Sequence, residues 1–396
     1  MTPARDGGDA GAPRGSLPHQ RVMIVAGEAS GDIYGADLVR EALLIDPRIH
    51  FFGIGGARMR EAGVEILVDS AQMAVMGLVE VIRHLGVISA SFRKLKNILH
   101  SEPPDLLILI DYPGFNLRLA RAAHNAGVKV LYYISPKVWA WKAGRIKSIA
   151  ATVNRMAVIF PFEVPLYEKA GVAATFVGHP LLDLVKAGTD REAAATSFGL
   201  DPSRRIVGLF PGSRRSEIER MLPTILAAAA LLRRRFPDLQ FVLPLASTVP
   251  DSTILPRLDA AGVAVTTTRE RIHDLTRACD AVIAVSGTVT LEIALVGTPM
   301  VIIYKLSPIT YQVAKRLVKV RHIGLCNIVA DKTVVRELIQ DEANPEGIAA
   351  EIAHILSDPS YAGQIREELA TIAAMLGSGG ASKNVARLTL ELMGRQ

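Results

Sequence analysis

The chain has 396 residues, a hydrophobic share of 49% and a net charge of +6 at pH 7. This length is sufficient for two domains with substantial cores, and no apolar run reaches the ~18–20 residues that a membrane-spanning helix needs. The positive charge favours an anionic partner, such as a phosphorylated substrate or a membrane surface. Aromatic residues make up 5% of the chain and are not interleaved with basic ones, so we expect no nucleic acid among the partners.

The N-terminus and the two cysteines narrow the class of protein further. Residues 1–19 are polar, rich in Gly and Pro, and lack the apolar core of a signal peptide, so we expect residues 1–20 to form a disordered leader. Cys279 and Cys326 lack the spacing of paired metal ligands, which argues against a disulfide framework and against a zinc site. We therefore expect a protein of the reducing cytoplasm.

Short apolar runs alternate with helical stretches along the whole chain. In the first half, the pattern predicts helices that include 32–44 and 115–125, and strands at 22–26, 51–54, 106–110, 129–134, 156–160 and 175–177. In the second half, it predicts strands at 206–210, 240–244, 263–267, 281–285 and 301–304. Strands separated by helices imply right-handed crossovers and parallel sheets.

These elements predict an α/β protein with two doubly wound, Rossmann-like domains that face a cleft. The polar segment 183–205, which contains only a short helical piece, is the predicted linker. We place the first domain at residues 21–185, the second at residues 200–365, and helices at 366–396 that pack across the domains or onto a partner subunit. In such folds ligands bind beyond the carboxyl ends of the strands, so each strand end is a candidate site.

Two strand ends of the first half carry candidate residues. The strand at 22–26 is followed by GEASGD, which contains Glu28, Ser30 and Asp32. Its small residues permit close approach of a ligand, and a tight turn with a helix-capping residue explains the pattern equally well. The strand at 106–110 ends at Asp111, whose partly desolvated carboxylate suits a general base or, alternatively, caps the next helix. Neither GxGxxG nor a P-loop is present, which disfavours ATP-driven phosphoryl transfer.

Both tryptophans of the chain lie in one short segment, SPKVWAW. Trp139 and Trp141 beside Lys137 suit the lining of a cleft for an amphipathic phosphorylated ligand. The alternative is ordinary packing, with one indole in the core and the other at the surface.

Two further stretches suit a membrane surface. Residues 72–82, which include Met76 and Val79, are apolar with little charge, although the same pattern is typical of core. Residues 311–322 place basic side chains among apolar ones, which is typical of an interfacial helix or of an ordinary surface helix with a buried stripe. These basic side chains include Lys315, Arg316 and Lys319.

One turn of the second half is suited to phosphate. The strand at 206–210 continues into Pro-Gly followed by Ser213 and Arg214. An arginine at a glycine turn can hold a diphosphate through forked hydrogen bonds, whereas a surface arginine pair is the alternative. Ser216 and Glu219 have the spacing of a capping box for the helix that follows.

A second turn of this kind follows the strand at 281–285. It contains Gly287 and Thr288 and opens a helix, whose unpaired N–H groups and positive dipole end suit a diphosphate. Glu292 lies four residues after Thr288 on the same helix face, where its carboxylate suits ribose hydroxyls. Because both turns lie at strand ends of one sheet, together they predict a nucleotide-diphosphate site.

Seven motifs from about Arg21 onward resemble, in order and over nearly the full length, those of the lipid-A-disaccharide synthase family of inverting GT-B glycosyltransferases. The motifs are VAGEASGD at 25–32, AVMGLVEV at 74–81, IDYPGFN at 110–116, ISPKVWAW at 134–141, LFPGSRRSE at 209–217, SGTVTLE at 286–292 and AKRLVKV at 314–320. The resemblance implies transfer of 2,3-diacylglucosamine from its UDP derivative to 2,3-diacylglucosamine 1-phosphate (lipid X). The products would be UDP and the β-1,6-linked disaccharide 1-phosphate.

The resemblance also implies a location and roles for single residues. It implies a peripheral protein on the cytoplasmic face of the anionic inner membrane, and it allows a homodimer. Asp111 would be the general base for the acceptor 6-hydroxyl, and Glu292 would hold the ribose. Electrostatic stabilisation of UDP would replace a metal, which agrees with the lack of an Asp-x-Asp pair, so we expect neither metal nor cofactor. The nucleotide would also be held by Ser213, Arg214, Gly287, Thr288 and Asn327. The acceptor and lipid side would comprise Glu28, Ser30, Asp32, Met76, Val79, Trp139, Lys315, Arg316 and Lys319.

Three rival functions stay open from the residues alone. A UDP-N-acetylglucosamine 2-epimerase uses the same two-domain fold and a Ser-Gly turn before a Glu-bearing helix, but it needs no lipid contacts. A nucleotide-sugar-binding peripheral membrane protein without activity would bind UDP and tolerate the loss of Asp111. A muramyl-lipid N-acetylglucosaminyltransferase is a related enzyme, but its glycine-rich first turn differs from GEASGD.

Overall fold

The computed structural model describes residues 20–73, 78–140, 144–185, 188–246, 249–307, 310–312 and 321–394, and for residues 78–85 it describes the backbone alone. The chain divides into two compact units, Met1–Val130 with Thr389–Gln396, and Leu131–Leu388. Among the helices so described, none is both long enough and apolar enough to cross a membrane.

The first sheet has seven strands. They are β1 Arg21–Ala26, β2 His50–Gly55, β3 Glu65–Asp69, β4 Leu106–Ile110, β5 Lys129–Tyr133, β6 Arg155–Val158 and β7 Ala174–Phe176. Their order across the sheet is β3-β2-β1-β4-β5-β6-β7. The pairings of β1 with β2 and β4, of β2 with β3, and of β6 with β5 and β7 are parallel.

The second sheet has six strands, and every pairing in it is parallel. They are β8 Ile206–Phe210, β9 Gln240–Pro244, β10 Val265–Thr268, β11 Ala281–Val285, β12 Met300–Tyr304 and β13 Glu337–Ile339. Their order is β10-β9-β8-β11-β12-β13, which is the strand order of a dinucleotide-binding fold.

Helices connect the strands of both sheets. In the first part of the chain they are α1 Ala29–Ile45, α2 Ala57–Glu61, α3 Leu78–Ser101, α4 Pro113–Asn125, α5 Arg145–Ala150, α6 Glu163–Glu168, α7 Leu181–Leu184 and α8 Arg191–Ser197. In the second part they are α9 Arg215–Arg235, α10 Asp251–Ala260, α11 Ile272–Ala278, α12 Thr288–Val296, α13 Leu325–Ala330, α14 Pro345–Ser357, α15 Pro359–Met375 and α16 Ala381–Leu392. The short helical piece expected in the linker is α8.

Three central strands, β4, β8 and β11, are apolar at every position, as expected where helices cover both faces of a parallel sheet. All residues of β4, β8 and β11 are buried, and the sequence pattern locates these three strands at the bounds that the structure has. The pattern misses β3 and β13, which form edges of their sheets. No residue of β3 is fully buried and β13 has only three residues, so neither shows a clear apolar run.

The chain returns to the first sheet at its C-terminal end. The side-chain amide of Asn384 in α16 donates a hydrogen bond of 3.0 Å to the carbonyl of Val177, next to β7. The ammonium of Lys129, at the start of β5, donates one of 2.7 Å to the carbonyl of Leu392. The domain boundaries proposed from the sequence stay a prediction.

Each sheet reverses its winding once, between β1 and β4 in the first and between β8 and β11 in the second. At such a switch point the connections leave neighbouring strands in opposite directions, so a crevice opens at the carboxyl ends of the strands. The turns singled out in the sequence follow these four strands. The fold therefore places each pair of candidate turns at a crevice.

Asp32 caps a helix, but not the one that its sequence position suggests. The N-cap of α1 is Glu28, which makes no side-chain capping bond. The buried carboxylate of Asp32 instead accepts hydrogen bonds from the backbone N–H groups of Gly56, Arg58 and Met59, at 2.6, 3.0 and 3.1 Å. These groups lie at the start of α2, so Asp32 fixes the turn after β2.

We expect Asp32→Ala to lower the free energy of unfolding by about 2 kcal/mol, because three N–H groups lose a charged acceptor. Urea and thermal unfolding followed by circular dichroism measure this loss. Asp37→Ala is the matched control, since Asp37 lies on α1 and pairs with Arg40 on the same helix. Its expected effect is within about 0.5 kcal/mol. Equal effects of the two variants would contradict the capping role.

Candidate active site

The two phosphate-suited turns lie side by side in the structure. Strands β8 and β11 are neighbours, and Phe210 of β8 is in register with Ala284 of β11. The chain therefore leaves the sheet at residues 211–214 and 286–288 from adjacent strand ends. Backbone N–H groups and side chains of both turns can converge on one ligand at this edge.

The turn after β8 depends on Gly212. Its φ is +95°, a conformation that favours glycine, and a Cβ there would lie 2.8 Å from a carboxylate oxygen of Glu217, which would have to move. Arg214 follows as the N-cap residue of α9, and its guanidinium donates a hydrogen bond of 3.0 Å to Glu217. The Arg214 side chain is 63% exposed, whereas Glu217 is largely buried, so Glu217 holds a guanidinium that stays accessible.

The capping box expected at Ser216 and Glu219 does not form. Helix α9 begins at Arg215 and its N-cap is Arg214, so Ser216 lies within the first turn of the helix. Glu219 instead accepts a hydrogen bond of 2.8 Å from the guanidinium of Arg215 one turn earlier. This leaves the start of α9 without a side-chain cap at Arg214.

The turn after β11 opens directly into α12. Gly287 is its N-cap, and a Cβ added at Gly287 would meet no atom within 4 Å, so the space beside it is open. The hydroxyl of Thr290 donates a hydrogen bond of 2.8 Å to the carbonyl of Gly287, and the hydroxyl of Ser286 donates one of 2.8 Å to Ile323. These two bonds fix the turn on both sides of the helix N-terminus.

A cavity of about 580 Å³ lies over these turns. Its volume falls in the usual range for sites of small ligands. Five of the six residues predicted for the nucleotide line it, namely Ser213, Arg214, Gly287, Thr288 and Glu292. Two further basic residues, Lys137 and Arg269, also line it. The cavity thus combines a helix N-terminus and three basic side chains, which suits a diphosphate.

Glu292 has a partner that the sequence pattern did not indicate. The Nε2 atom of His273, on α11, lies 3.1 Å from a carboxylate oxygen of Glu292, and both side chains are largely buried. A carboxylate fixed on one side by a histidine presents its remaining lone pairs in a set direction. Because Glu292 also lines the cavity, the contact with His273 fixes its carboxylate at the cavity wall.

The switch point of the first sheet carries strained backbone. Asp111 and Tyr112, which follow β4, have φ of +44° and +45°, a region that side chains other than glycine rarely adopt. The buried amide of Asn116 supports this turn, since it donates hydrogen bonds of 3.1 and 2.7 Å to the carbonyls of Ile110 and Asp111. Tyr112, not Asp111, is the N-cap residue of α4.

The end of β1 lies next to this strained turn. A Cβ at Gly27 would lie 2.5 Å from the ring of Tyr112, so the two turns are in close contact. Burial raises the pKa of Tyr112, and the charge of Glu28 raises it further. Glu28 and Ser30 are exposed, whereas Asp32 is buried and its carboxylate accepts hydrogen bonds from the start of α2. The exposed Glu28 therefore lies near Tyr112, and Ser30 follows it two residues later in α1.

Trp139 belongs to a buried polar cluster. Its indole N–H donates a hydrogen bond of 3.1 Å to Oε1 of Glu163, and its ring packs edge-on against Phe162 at 5.4 Å. The hydroxyl of Ser135 donates to the same oxygen of Glu163, and the N–H of Phe160 donates to Oε2 at 3.3 Å. Burial raises the pKa of Glu163 to about 7, although these hydrogen bonds oppose the shift.

Asn327 has partners other than a ligand. It is fully buried, and its side-chain N–H groups donate hydrogen bonds of 2.8 Å to the Val335 carbonyl and to Glu337. Its side-chain oxygen accepts from the N–H groups of Val334 and Val335. Asn327 is absent from the lining of the 580 Å³ cavity, so in the described structure it orders the segment before β13.

Other predicted residues lie outside the described part of the chain. They are Met76, Lys315, Arg316, Lys319 and Trp141. Val79 lies in the part of α3 for which the structure describes only the backbone. The predictions made for these residues therefore stay predictions.

The chain is similar to lipid-A-disaccharide synthases over nearly its full length. Residues 22–383 match the family model described as Lipid-A-disaccharide synthetase. The Lipid-A-disaccharide synthase of Trichlorobacter lovleyi is 66% identical over 374 residues, which cover 94% of this chain and 98% of that relative. The Lipid-A-disaccharide synthase of Geobacter sulfurreducens is 62% identical over 376 residues, which cover 95% and 98%.

Solved structures with the same architecture are far more distant in sequence. The UDP-GlcNAc 2-epimerase of Neisseria meningitidis bound to UDP-GlcNAc has a TM-score of 0.65 at 14% identity, over 94% of this chain and 100% of that one. MurG of Acinetobacter baumannii has a TM-score of 0.58 at 15% identity, over 94% and 99%. Such identities show the fold alone. They confirm the expected α/β fold of GT-B type with two parallel sheets.

The buried carboxyl of Glu163 makes stability depend on pH. Its pKa is about 7 in the folded protein against an ordinary 4.5, so the folded chain keeps a proton that the unfolded chain loses between these values. Stability that is fully present below pH 4.5 is therefore lost as the pH rises through 7, by about 3 kcal/mol.

We expect Glu163→Gln, which does not titrate, to lack this loss. Urea unfolding followed by tryptophan fluorescence at pH 5 to 8 gives the free energy of unfolding of both proteins, and their difference should move in favour of the variant as the pH rises. Both proteins contain the same other titrating groups, so the contributions of these groups to the pH dependence cancel in the difference. Parallel pH profiles would contradict the raised pKa.

Proposed function

The chain belongs to the lipid-A-disaccharide synthase family and is a glycosyltransferase that forms the lipid A disaccharide, and we propose how its residues divide that reaction. The donor is UDP-2,3-diacylglucosamine and the acceptor is lipid X. The acceptor 6-hydroxyl oxygen bonds to the anomeric carbon of the donor as the bond from that carbon to the diphosphate oxygen breaks. The bonding electrons leave with UDP, the hydroxyl proton passes to a base, and attack from the opposite face inverts the anomeric centre.

The cavity beside β8 and β11 carries the donor half of this proposal. The start of α12 at Gly287 and Thr288 offers N–H groups and the positive end of the helix to the diphosphate. Arg214 adds a guanidinium that Glu217 holds but does not cover. These groups stabilise the negative charge that develops on UDP, which is the electrostatic contribution to the rate. Glu292, oriented by His273, accepts hydrogen bonds from the ribose hydroxyls.

The strained turn after β4 supports the acceptor half. We assign the general base to Asp111, because left-handed backbone at two successive non-glycine residues is a cost that functional sites tolerate. Asn116 fixes the carbonyls of Ile110 and Asp111 and so holds this turn in place. Glu28, near Tyr112, and Ser30, two residues later, are exposed and suit contacts to the acceptor sugar.

The rival functions have weaker support. The epimerase reading rests on a likeness of fold at 14% identity, whereas the family match covers residues 22–383. The muramyl-lipid reading rests on a likeness at 15% identity. A binding protein without activity would leave the strained turn at Asp111 without a use.

We also propose that the protein works at the cytoplasmic face of the inner membrane. Both substrates carry acyl chains, the chain has a net charge of +6, and the stretch 311–322 interleaves basic with apolar residues. Anionic lipids attract such a stretch by about 1 kcal/mol for each basic residue near the surface. A homodimer formed through the C-terminal helices stays a prediction.

A paired experiment tests the division of roles. We expect Asp111→Asn to lower kcat for formation of the disaccharide by about 100-fold or more and to leave UDP affinity within about twofold, because it removes the base alone. We expect Glu292→Gln to weaken UDP affinity by about tenfold, because a charged hydrogen-bond acceptor is lost. Transfer from labelled UDP-2,3-diacylglucosamine to lipid X, and calorimetry with UDP, are the two measurements. Normal turnover of Asp111→Asn would remove it as the base.

Flotation with vesicles tests the membrane proposal. We expect the triple charge reversal Lys315→Glu, Arg316→Glu and Lys319→Glu to abolish flotation with anionic vesicles and to leave UDP affinity unchanged. Vesicles of neutral lipid serve as the control, and the parent protein should bind them weakly. Equal flotation of the triple variant and the parent protein would overturn the assignment of this stretch.

A further inference from the structure

One basic residue of the cavity lining lies in the segment that follows a strand of the first sheet. Lys137 lines the cavity together with the two turns of the second sheet, although it follows β5. The other two basic residues of the lining are engaged. Arg214 is held by Glu217, while Arg269 is held by Asp251 and by the carbonyls of Ala246 and Val249. Among the described residues, Lys137 has no carboxylate at ion-pair distance, so its charge is the one most available to an anion.

The segment that carries Lys137 has an unusual backbone. Ile134, directly after β5, has a φ of +64°, which is an outlier for a β-branched side chain. Such a conformation persists only where surrounding contacts determine it. The position of Lys137 therefore depends on the contacts that hold residues 135–139.

Glu163 supplies these contacts on both sides of Lys137. One of its carboxylate oxygens accepts hydrogen bonds from two donors. They are the hydroxyl of Ser135, two residues before Lys137, and the indole N–H of Trp139, two residues after it. The hydroxyl of Tyr167 donates a bond of 3.4 Å to the carbonyl of Pro136 in the same segment. Glu163 is 1% exposed and does not line the cavity, so it cannot touch a ligand there.

We infer that Glu163 is a positioning residue that holds residues 135–139 from both ends, so that Lys137 is presented to the diphosphate of the donor. This inference rests on the proposed function, since it assigns the cavity to a nucleotide diphosphate. It adds Lys137 as a direct ligand contact and Glu163 as the group that acts through it. His179 lies near Lys137 and stays neutral, because burial and then the charge of Lys137 lower its pKa to about 3.

A double-mutant cycle on UDP affinity tests the inference. We expect Lys137→Met to weaken UDP binding by about tenfold, since a charge-assisted contact to the diphosphate is lost. We expect Glu163→Ala to weaken it by a similar factor in the parent protein and by less than twofold in the Lys137→Met background. Two residues that act as one unit give such non-additive losses. Additive losses would overturn the inference.

Two variants separate positioning from mere support of the fold. Glu163→Gln keeps an oxygen that can accept from Ser135 and Trp139, so we expect it to recover most of the UDP affinity that Glu163→Ala loses. Lys169→Met removes an exposed lysine at the end of α6 and should leave UDP affinity unchanged. If Glu163→Ala does not fold, the Lys137→Met and Glu163→Gln measurements still decide, and a normal UDP affinity of Lys137→Met overturns the inference.

The proposed function and the inference fail in different ways. A parent protein that binds no UDP by calorimetry contradicts the donor site itself. A parent protein that binds UDP, and whose Glu292→Gln variant binds it more weakly, supports the site. If the site is supported in this way and the Lys137→Met variant has an unchanged UDP affinity, only the roles of Lys137 and Glu163 are overturned, and the proposed function stands.

Discussion

The reversal of strand order beside β8 is the constraint on which the proposed donor site depends. Parallel strands deliver all their carboxyl ends to one edge, and only at the reversal do the connections diverge enough to leave a crevice. The chain places a glycine turn after each of the two strands that flank this point, β8 and β11. Gly212 bends with a positive φ against Glu217, and Gly287 leaves open space before a helix N-terminus. The cavity follows from this placement, and its chemistry follows from the residues next to the glycines.

Local patterns explain what the sequence predicts well. Each strand end lies within ten residues of the glycine turn that follows it, and Thr288 is four residues from Glu292, so a local pattern detects these features. His273 is 19 residues from Glu292, and nothing near it in sequence indicates the pairing. Glu163 is similar, because Ser135 and Trp139 are 28 and 24 residues away. The expected capping box fails for a different reason, since α9 begins two residues earlier than an N-cap at Ser216 requires.

Buried polar side chains organise loops in three places. Asp32 gathers the N–H groups that begin α2, Glu163 gathers donors from both sides of Lys137, and Asn327 uses its amide to order the segment before β13. In each case several donors or acceptors of one loop share a single buried group. A loop that is bound in this way loses several hydrogen bonds together when the buried group changes, so its geometry is preserved or lost as a whole. None of these three residues needs to touch a substrate to influence the site.

The contact between Gly27 and the ring of Tyr112 couples two strand ends that lie 85 residues apart in the chain. Any side chain at position 27 would occupy the volume of that ring, and a smaller residue at position 112 would leave the volume empty. The two positions therefore form a steric pair in which one residue sets the allowed size of the other. Substitutions at either position alone start from an unfavourable intermediate, which makes this corner of the first sheet resistant to stepwise sequence drift.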